Sequence, residues 1–334
     1  GDFSMLRIYA DEDNNPAEFA ETNVPYSPKR HLNISMEGVN NGDFTMIMGY
    51  PGSTDRFLSS WGIEQALSLY NPSVVDVRDL KLRTMKEHMD ADLGVRIQYA
   101  AKYAQTANYW KYYIGQSKGL KALDVQSQKE AIEERFSNWV ASSTELQAEY
   151  GEALQLIEDY YSATDATAKA DAYALEAGLI GSDITLFAVR FGRTAPGLFS
   201  EDAEQVAATK ARLSGLCDSF FKDYDMSTDR DLFTNLMSKY QADIASEHLP
   251  SFFATVDSKY KGSIERYASK MYSKSFLVNE DAARAFIENP SEKILNKDLA
   301  VSAAMSILET YFGSMESDAQ AKFDKGYRLF VKGL

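Results

Sequence analysis

Prolines are spread unevenly along this 334-residue chain, and that unevenness limits what it can fold into. Five of the eight, Pro16, Pro25, Pro28, Pro51 and Pro72, fall at or before position 72, and only Pro196, Pro250 and Pro290 follow. Proline lacks an N–H and clashes with the preceding helical turn, so a long stretch poor in it is free to be helical. From about Asp76 onward the chain is also rich in Ala, Glu, Lys, Leu and Gln, with apolar residues at helical spacing. The earlier segment carries Asn-Gly and Asp-Asn turn signals instead. The composition shift falls near Pro72 and predicts two parts, a β-rich segment over 1–72 and an α-helical domain over 73–334.

Two strands are predicted in the first part. Leu32-Asn-Ile-Ser-Met36 alternates apolar and polar residues and ends at Glu37-Gly38. After the turn-rich Asn40-Asn41-Gly42-Asp43, Phe44, Met46, Met48 and Tyr50 share one face while Thr45 and Ile47 share the other. Pro51-Gly52 ends this second run, which pairs with the first as a hairpin.

In the second part, spacing and punctuation predict one long helix over 74–114 and another from Asp124 to Tyr160-Tyr161. A third is capped by Asp165 and runs past Gly178 and Gly181 to Phe191; a fourth is capped by Ser200. Thr228-Asp-Arg-Asp231 has capping-box spacing for a fifth, and shorter helices follow over 252–259, 264–272, 281–288, 298–312 and 317–332. No fixed period repeats, which disfavours a solenoid.

The formal charge of −14 and pI near 4.8 exclude a nucleic-acid groove, since phosphate binding needs clustered Lys and Arg. One cysteine, Cys217, excludes an internal disulfide framework and a multi-cysteine zinc site, and it reads as a buried packing residue. No apolar run approaches the roughly 20 residues that span a bilayer. No His-Glu-x-x-His or Glu-x-x-His pair occurs, and Gly115-Gln-Ser-Lys-Gly119 lacks phosphate-loop spacing, so no metal or cofactor is expected. His31, His88 and His248 fit no triad, and Gly181-Ser182-Asp183 sits inside a predicted helix without an oxyanion-forming glycine after it.

Phe44 to Leu58, with its Gly49-Tyr50-Pro51-Gly52 turn, and Asp2-Phe-Ser-Met-Leu-Arg-Ile-Tyr9 together resemble the bacterial serine dipeptidyl-peptidases of the dipeptidyl-peptidase 7 and dipeptidyl-peptidase 11 type. The resemblance implies an α+β multidomain fold, a mainly helical domain preceded by strands of a chymotrypsin-like double β-barrel. It makes Asp2 the catalytic aspartate and puts the triad histidine upstream and the serine downstream of this chain. A chain that opens on Gly1 with no initiator methionine is read as cut from a longer protein, inactive by itself. Ala107-Asn-Tyr-Trp-Lys111 resembles the family segment whose Asn binds the substrate's free amine, which gives Asn108 that role. An amide oxygen accepts from an ammonium, and aromatic faces favour cations. The resemblance further implies peptide substrates with free N-termini, release of dipeptides, a homodimer, and a periplasmic, cell-surface or secreted location. The competing reading is a non-catalytic acidic helical module that binds a partner protein, with the strands as a small attachment domain.

Overall fold

The computed structural model describes residues 5–46, 48–49, 54–313 and 318–334. Two compact units divide it, Gly1–Thr54 and Asp55–Leu334. In the first unit, β1 (Tyr9–Ala10) pairs antiparallel with β2 (Val24–Pro25), placing Ala10 opposite Val24. Asp11 organises the turn after β1 by accepting from the backbone N–H groups of Asp13 and Asn15 at 3.0 and 2.7 Å. Asn14, in the left-handed region at φ 65°, ties this turn to Ser27 with two hydrogen bonds.

The predicted hairpin is not formed among the described residues. Neither 32–36 nor the described part of 44–50 is a strand, and Leu32, Ile34, Met36, Phe44 and Met48 are each more than 80% exposed. A strand's free energy comes from ladder and face together, and these apolar faces meet no second layer in the unit. The expected double barrel is not shown: the described residues hold a single two-stranded sheet, β1–β2.

The second unit is helical from Ser60 onward, ahead of the expected boundary at Pro72. Helix α1 (Ser60–Gln65) widens into a π turn over Ala66–Tyr70 and continues as α2 (Asn71–Ala91). Pro72 therefore lies inside a continuous helical run. It has no N–H to give the turn before it, and the chain widens immediately upstream. The predicted 74–114 helix is in fact a hairpin, because the chain turns extended at Asp92 and restarts as α3 (Leu93–Ala122). Asp92 stabilises the break by accepting from the Val95 N–H at 3.1 Å. Packing is antiparallel: at the far end Asn71, 1% exposed, donates to Gln116 and Ser117 at 2.9 and 3.0 Å.

The predicted second helix is likewise divided, into α4 (Val125–Val140), α5 (Thr144–Tyr150) and α6 (Ala153–Tyr173). Asp165 lies within α6 rather than capping a helix, and α6 ends in a second π turn, Ala174–Leu179. Next come α7 (Asp183–Thr194), α8 (Ala203–Phe221), capped by Asp202 rather than Ser200, and α9 (Met226–Asp243), capped by Asp225 rather than Thr228. Shorter helices complete the unit: α10 (Phe252–Tyr260), α11 (Ile264–Lys274), α12 (Glu280–Glu288), α13 (Glu292–Leu295), α14 (Leu299–Gly313) and α15 (Asp318–Gly333).

The main core draws on α2, α3 and α6 to α14, with Tyr99, Phe191, Leu213, Phe233 and Met271 fully buried. Cys217 belongs to it, and burial pushes its thiol up to about 11, so it is an inert packing residue. A smaller core gathers Phe136, Tyr150, Ile157, Tyr161 and Phe330 between α4, α5, α6 and the returning α15. Close approach of α15 to α6 depends on Gly326, where a Cβ would meet the Ala153 carbonyl at 2.7 Å.

Gly181-Ser182-Asp183 is a junction rather than helix interior: α7 begins at Asp183. The carboxylate of Asp229 in α9, fully buried, accepts from the backbone N–H groups of Asp183 and Ile184 at 2.5 and 3.2 Å and from the Tyr272 hydroxyl of α11 at 2.7 Å. Asp183 itself accepts from Tyr99 at 3.0 Å and from Lys102 at 2.6 Å, both on α3. Lys81 of α2 reaches the Ile180 carbonyl at 2.5 Å, and burial lowers its pKa. The Asp229 carboxyl is pushed up to about 7, first by burial and then by the charge of Asp183, against the hydrogen bonds it accepts.

Two outcomes are expected. A chain beginning at Asp55 should keep strong helical circular dichroism and one cooperative unfolding transition, whereas one beginning at Pro72 should be less stable. The latter loses the buried contacts of Ser60, whose N–H and hydroxyl donate to Glu133 at 2.8 and 2.6 Å, bonds worth roughly 1.5–3 kcal/mol as hydrogen bonds to a charged group. Equal stability of the two would remove α1 from the core. The second concerns pH. Asp229 keeps its proton in the folded state after it would ionise in the unfolded chain, so its contribution is greatest below its ordinary value of 3.8 and is lost as pH rises to about 7. From about pH 5 to about 7.5 the wild type should therefore lose about 1–3 kcal/mol relative to Asp229→Asn, read from urea midpoints. Parallel curves would show that Asp229 does not titrate there.

Candidate functional site

Helix α3 buries Tyr99 and Thr106 on the side that meets the body of the unit and leaves its other side open. Thirty residues with this division present a long free face, on which Ile97, Tyr109 and Tyr112 are 72%, 46% and 52% exposed. Asn108 stands on that face. Its neighbours one turn away, Ala104, Lys111 and Tyr112, are exposed as well. Among the described residues the Asn108 side chain has no hydrogen-bond partner, so its amide oxygen is free to accept and its NH2 to donate.

The surroundings are aromatic and electrically balanced. The Arg78 guanidinium lies 5.0 Å from the Tyr109 ring centroid and is paired with buried Glu176 at 2.8 Å. That pairing cancels the positive charge beneath Tyr109, which would otherwise repel an ammonium approaching the face. Tyr112 packs edge-on against Tyr113 at 5.1 Å, and Tyr113 against Tyr70 of the π turn at 5.8 Å. Burial raises the pKa of both Tyr70 and Tyr113, so these phenols are neutral hydrogen-bonding groups and not bases near neutral pH.

Helical period splits the Ala107 to Lys111 motif. Asn108, Tyr109 and Lys111 face out, while Trp110 is half-buried against the core and lines a separate cavity of about 350 Å³ between α2 and α3 with Leu82 and Tyr103. Of the aromatic residues at 109–113, Tyr109 and Tyr112 are therefore the exposed ones. Asp2 lies outside the described residues, as do Tyr50, Pro51 and Gly52 of the turn motif. His31 is exposed. His88 is not a free surface residue, since its Nε2 lies 3.0 Å from Asp231, and His248 is half-buried at the end of a 3-10 turn. The structure brings none of these histidines to Asn108 through a described contact.

The group of half-buried Asp183 with buried Asp229 and Tyr272 was not legible from the sequence. The nearest local signal is Asp225-Met-Ser-Thr228, where Asp225 accepts from both the N–H and the hydroxyl of Thr228 at 2.8 and 2.6 Å. Reading Asp225 as the cap places Asp229 one turn inside α9, on the core side.

Comparison with known proteins gives a consistent result. The family model described as Peptidase S46 matches residues 1–334. A dipeptidyl-peptidase 7 of Porphyromonas endodontalis is 35% identical over 335 residues, which is 99% of this chain and 40% of the relative. An Asp/Glu-specific dipeptidyl-peptidase of Flavobacterium psychrophilum is 32% identical, covering 99% of this chain and 46% of its own length. Among solved structures, the crystal structure of Porphyromonas endodontalis DPP11 in complex with the dipeptide Arg-Glu superposes with a TM-score of 0.78 at 26% identity, over 98% of this chain and 47% of that one. The chain thus spans under half the length of the relatives it matches.

Proposed function

The chain belongs to the peptidase S46 family, and from that membership we propose that it is the central part of a serine exopeptidase releasing dipeptides from peptide N-termini. The observation that carries this reading is the family match along the whole chain. Asp2 holds the imidazole of a histidine in the tautomer that takes the serine's proton, and both of those groups come from the rest of the protein. The helical unit roofs one end of the cleft. A roof that leaves room for two residues turns an endopeptidase cleft into a dipeptidyl-peptidase cleft, and Asn108 fixes the register by accepting a hydrogen bond from the substrate's ammonium.

Three features of the α3 face support that role. Asn108 is exposed and uncommitted, the Arg78 charge beneath Tyr109 is cancelled by Glu176, and the exposed rings of Tyr109 and Tyr112 offer cation-favouring faces. A homodimer at the cell surface, in the periplasm or outside the cell rests on the resemblance. No single described helix is long and apolar enough to cross a membrane.

Residues 1–334 alone should not hydrolyse dipeptidyl substrates, because they lack nucleophile and base. Turnover that disappears in Asp2→Ala would overturn the division of the triad. In the full-length protein, Asn108→Ala should lower kcat/KM for free-amine peptides about ten- to a hundredfold, the equivalent of roughly 1.5–3 kcal/mol for a hydrogen bond to a charged group. Thermal stability should stay close to wild type. Acetylating the substrate amine should abolish most of the difference between wild type and variant. Unchanged turnover of free-amine peptides, or unfolding of the helical unit, would make Asn108 structural.

A further inference from the structure

Helices α7 and α8 run antiparallel, and the outer groove between them holds two cavities, of about 740 and 210 Å³, that share Arg190 and Leu216. Three guanidinium groups line the larger one. Arg190 and Arg193 stand one turn apart on α7, and Arg212 faces them from α8. No carboxylate lines this cavity, and among the described residues none of the three arginines is ion-paired. In a chain carrying −14, the three cations of the larger cavity form a local reversal of sign, bounded on the Arg190 side by Asp183 and Asp223 of the smaller cavity.

The groove is also held narrow. A Cβ at Gly197 would lie 2.4 Å from Thr209 Oγ1, so the turn after α7 closes tightly on α8 and keeps the two sets of arginines on facing walls. Thr194, Gln205 and Thr209 add neutral hydrogen-bonding side chains to the same cavity. Arginine forks match planar and tetrahedral oxyanions in bidentate geometry. A cavity of about 740 Å³ is of the size that holds a small organic ligand and exceeds one phosphate ion.

We propose that the larger cavity of the α7–α8 groove is an anion-binding site for a ligand carrying two or more oxyanion groups, of which the neighbouring carboxylates of an acidic peptide suit its size. Free phosphate offers the same chemistry on a smaller body. Binding here requires neither triad nor Asn108, so it can be measured on this chain.

The test is calorimetric titration of the chain, at constant low ionic strength, with an acetylated and amidated tri-glutamate peptide and separately with inorganic phosphate. Saturable 1:1 binding of the tri-glutamate peptide is expected, tighter than that of phosphate; tighter binding of phosphate would show a single-anion site and overturn the assignment to a ligand with two or more oxyanion groups. Arg193→Gln and Arg212→Gln should each weaken peptide binding about tenfold, and the double variant should abolish it. Arg266→Gln, on α11 and outside the cavity, should leave it unchanged. Failure of both probes to saturate, equal binding by the Arg193 and Arg212 variants, or equal loss in Arg266→Gln would each overturn the assignment.

Discussion

A buried carboxylate at the start of α7 organises the helical unit. Asp229 belongs to α9, but its oxygens take the two N–H groups that open α7 and the hydroxyl of Tyr272 in α11. One side chain therefore fixes the relative position of three helices, and Asp183 extends the network to α3 through Tyr99 and Lys102. The arrangement resolves a specific cost. A helix start buried in a core leaves backbone donors without water, and a carboxylate supplies acceptors while the positive end of the helix dipole favours its charge. Burial and the neighbouring Asp183 oppose ionisation. The balance between them raises the Asp229 pKa well above the ordinary carboxylate range, which makes this junction sensitive to pH.

The readability of the fold follows the range of the interactions that set each element. Helices α10, α11, α12 and α14 were legible nearly to their ends because local residues terminate them: Pro250 precedes α10, Ser263 and Asn279 cap α11 and α12, and Asp298 opens α14 by accepting from Ala300 and Val301. The breaks at Asp92 and at 141–143 were hidden. Both lie in helix-forming sequence, and the antiparallel contact that rewards the turn at Asp92 comes from Asn71 and Gln116, far away along the chain. Asp229 was invisible for the same reason, since its partners lie 43 to 46 positions away. The strands expected at 32–36 and 44–50 differ in kind: 32–36 and the described part of 44–50 form no ladder. Their period-two pattern is real, but a pattern selects which face would be buried and cannot supply the layer that buries it. For the candidate site, Asn108 was found by its motif, while its open setting over a compensated Arg78 came only from the folded arrangement of α2, α3 and Glu176.

Placement of cations separates two kinds of surface on the helical unit. Arg78 is nearly buried and cancelled by Glu176, so the face above it carries aromatic rings and an amide with little net charge. Arg190, Arg193 and Arg212 are exposed, and the larger cavity they share holds no carboxylate. An ammonium is drawn to the first environment and repelled by the second; a carboxylate meets the reverse. At physiological salt the Debye length is about 8 Å, so each environment acts on a ligand group only at close range. A peptide with a free amine and acidic side chains carries both kinds of group. On such a ligand the neutral face and the cationic groove discriminate independently, by hydrogen-bond geometry in one case and by charge in the other. Under the two proposals, removing an arginine from the groove and removing Asn108 from α3 would act on different parts of the same class of molecule.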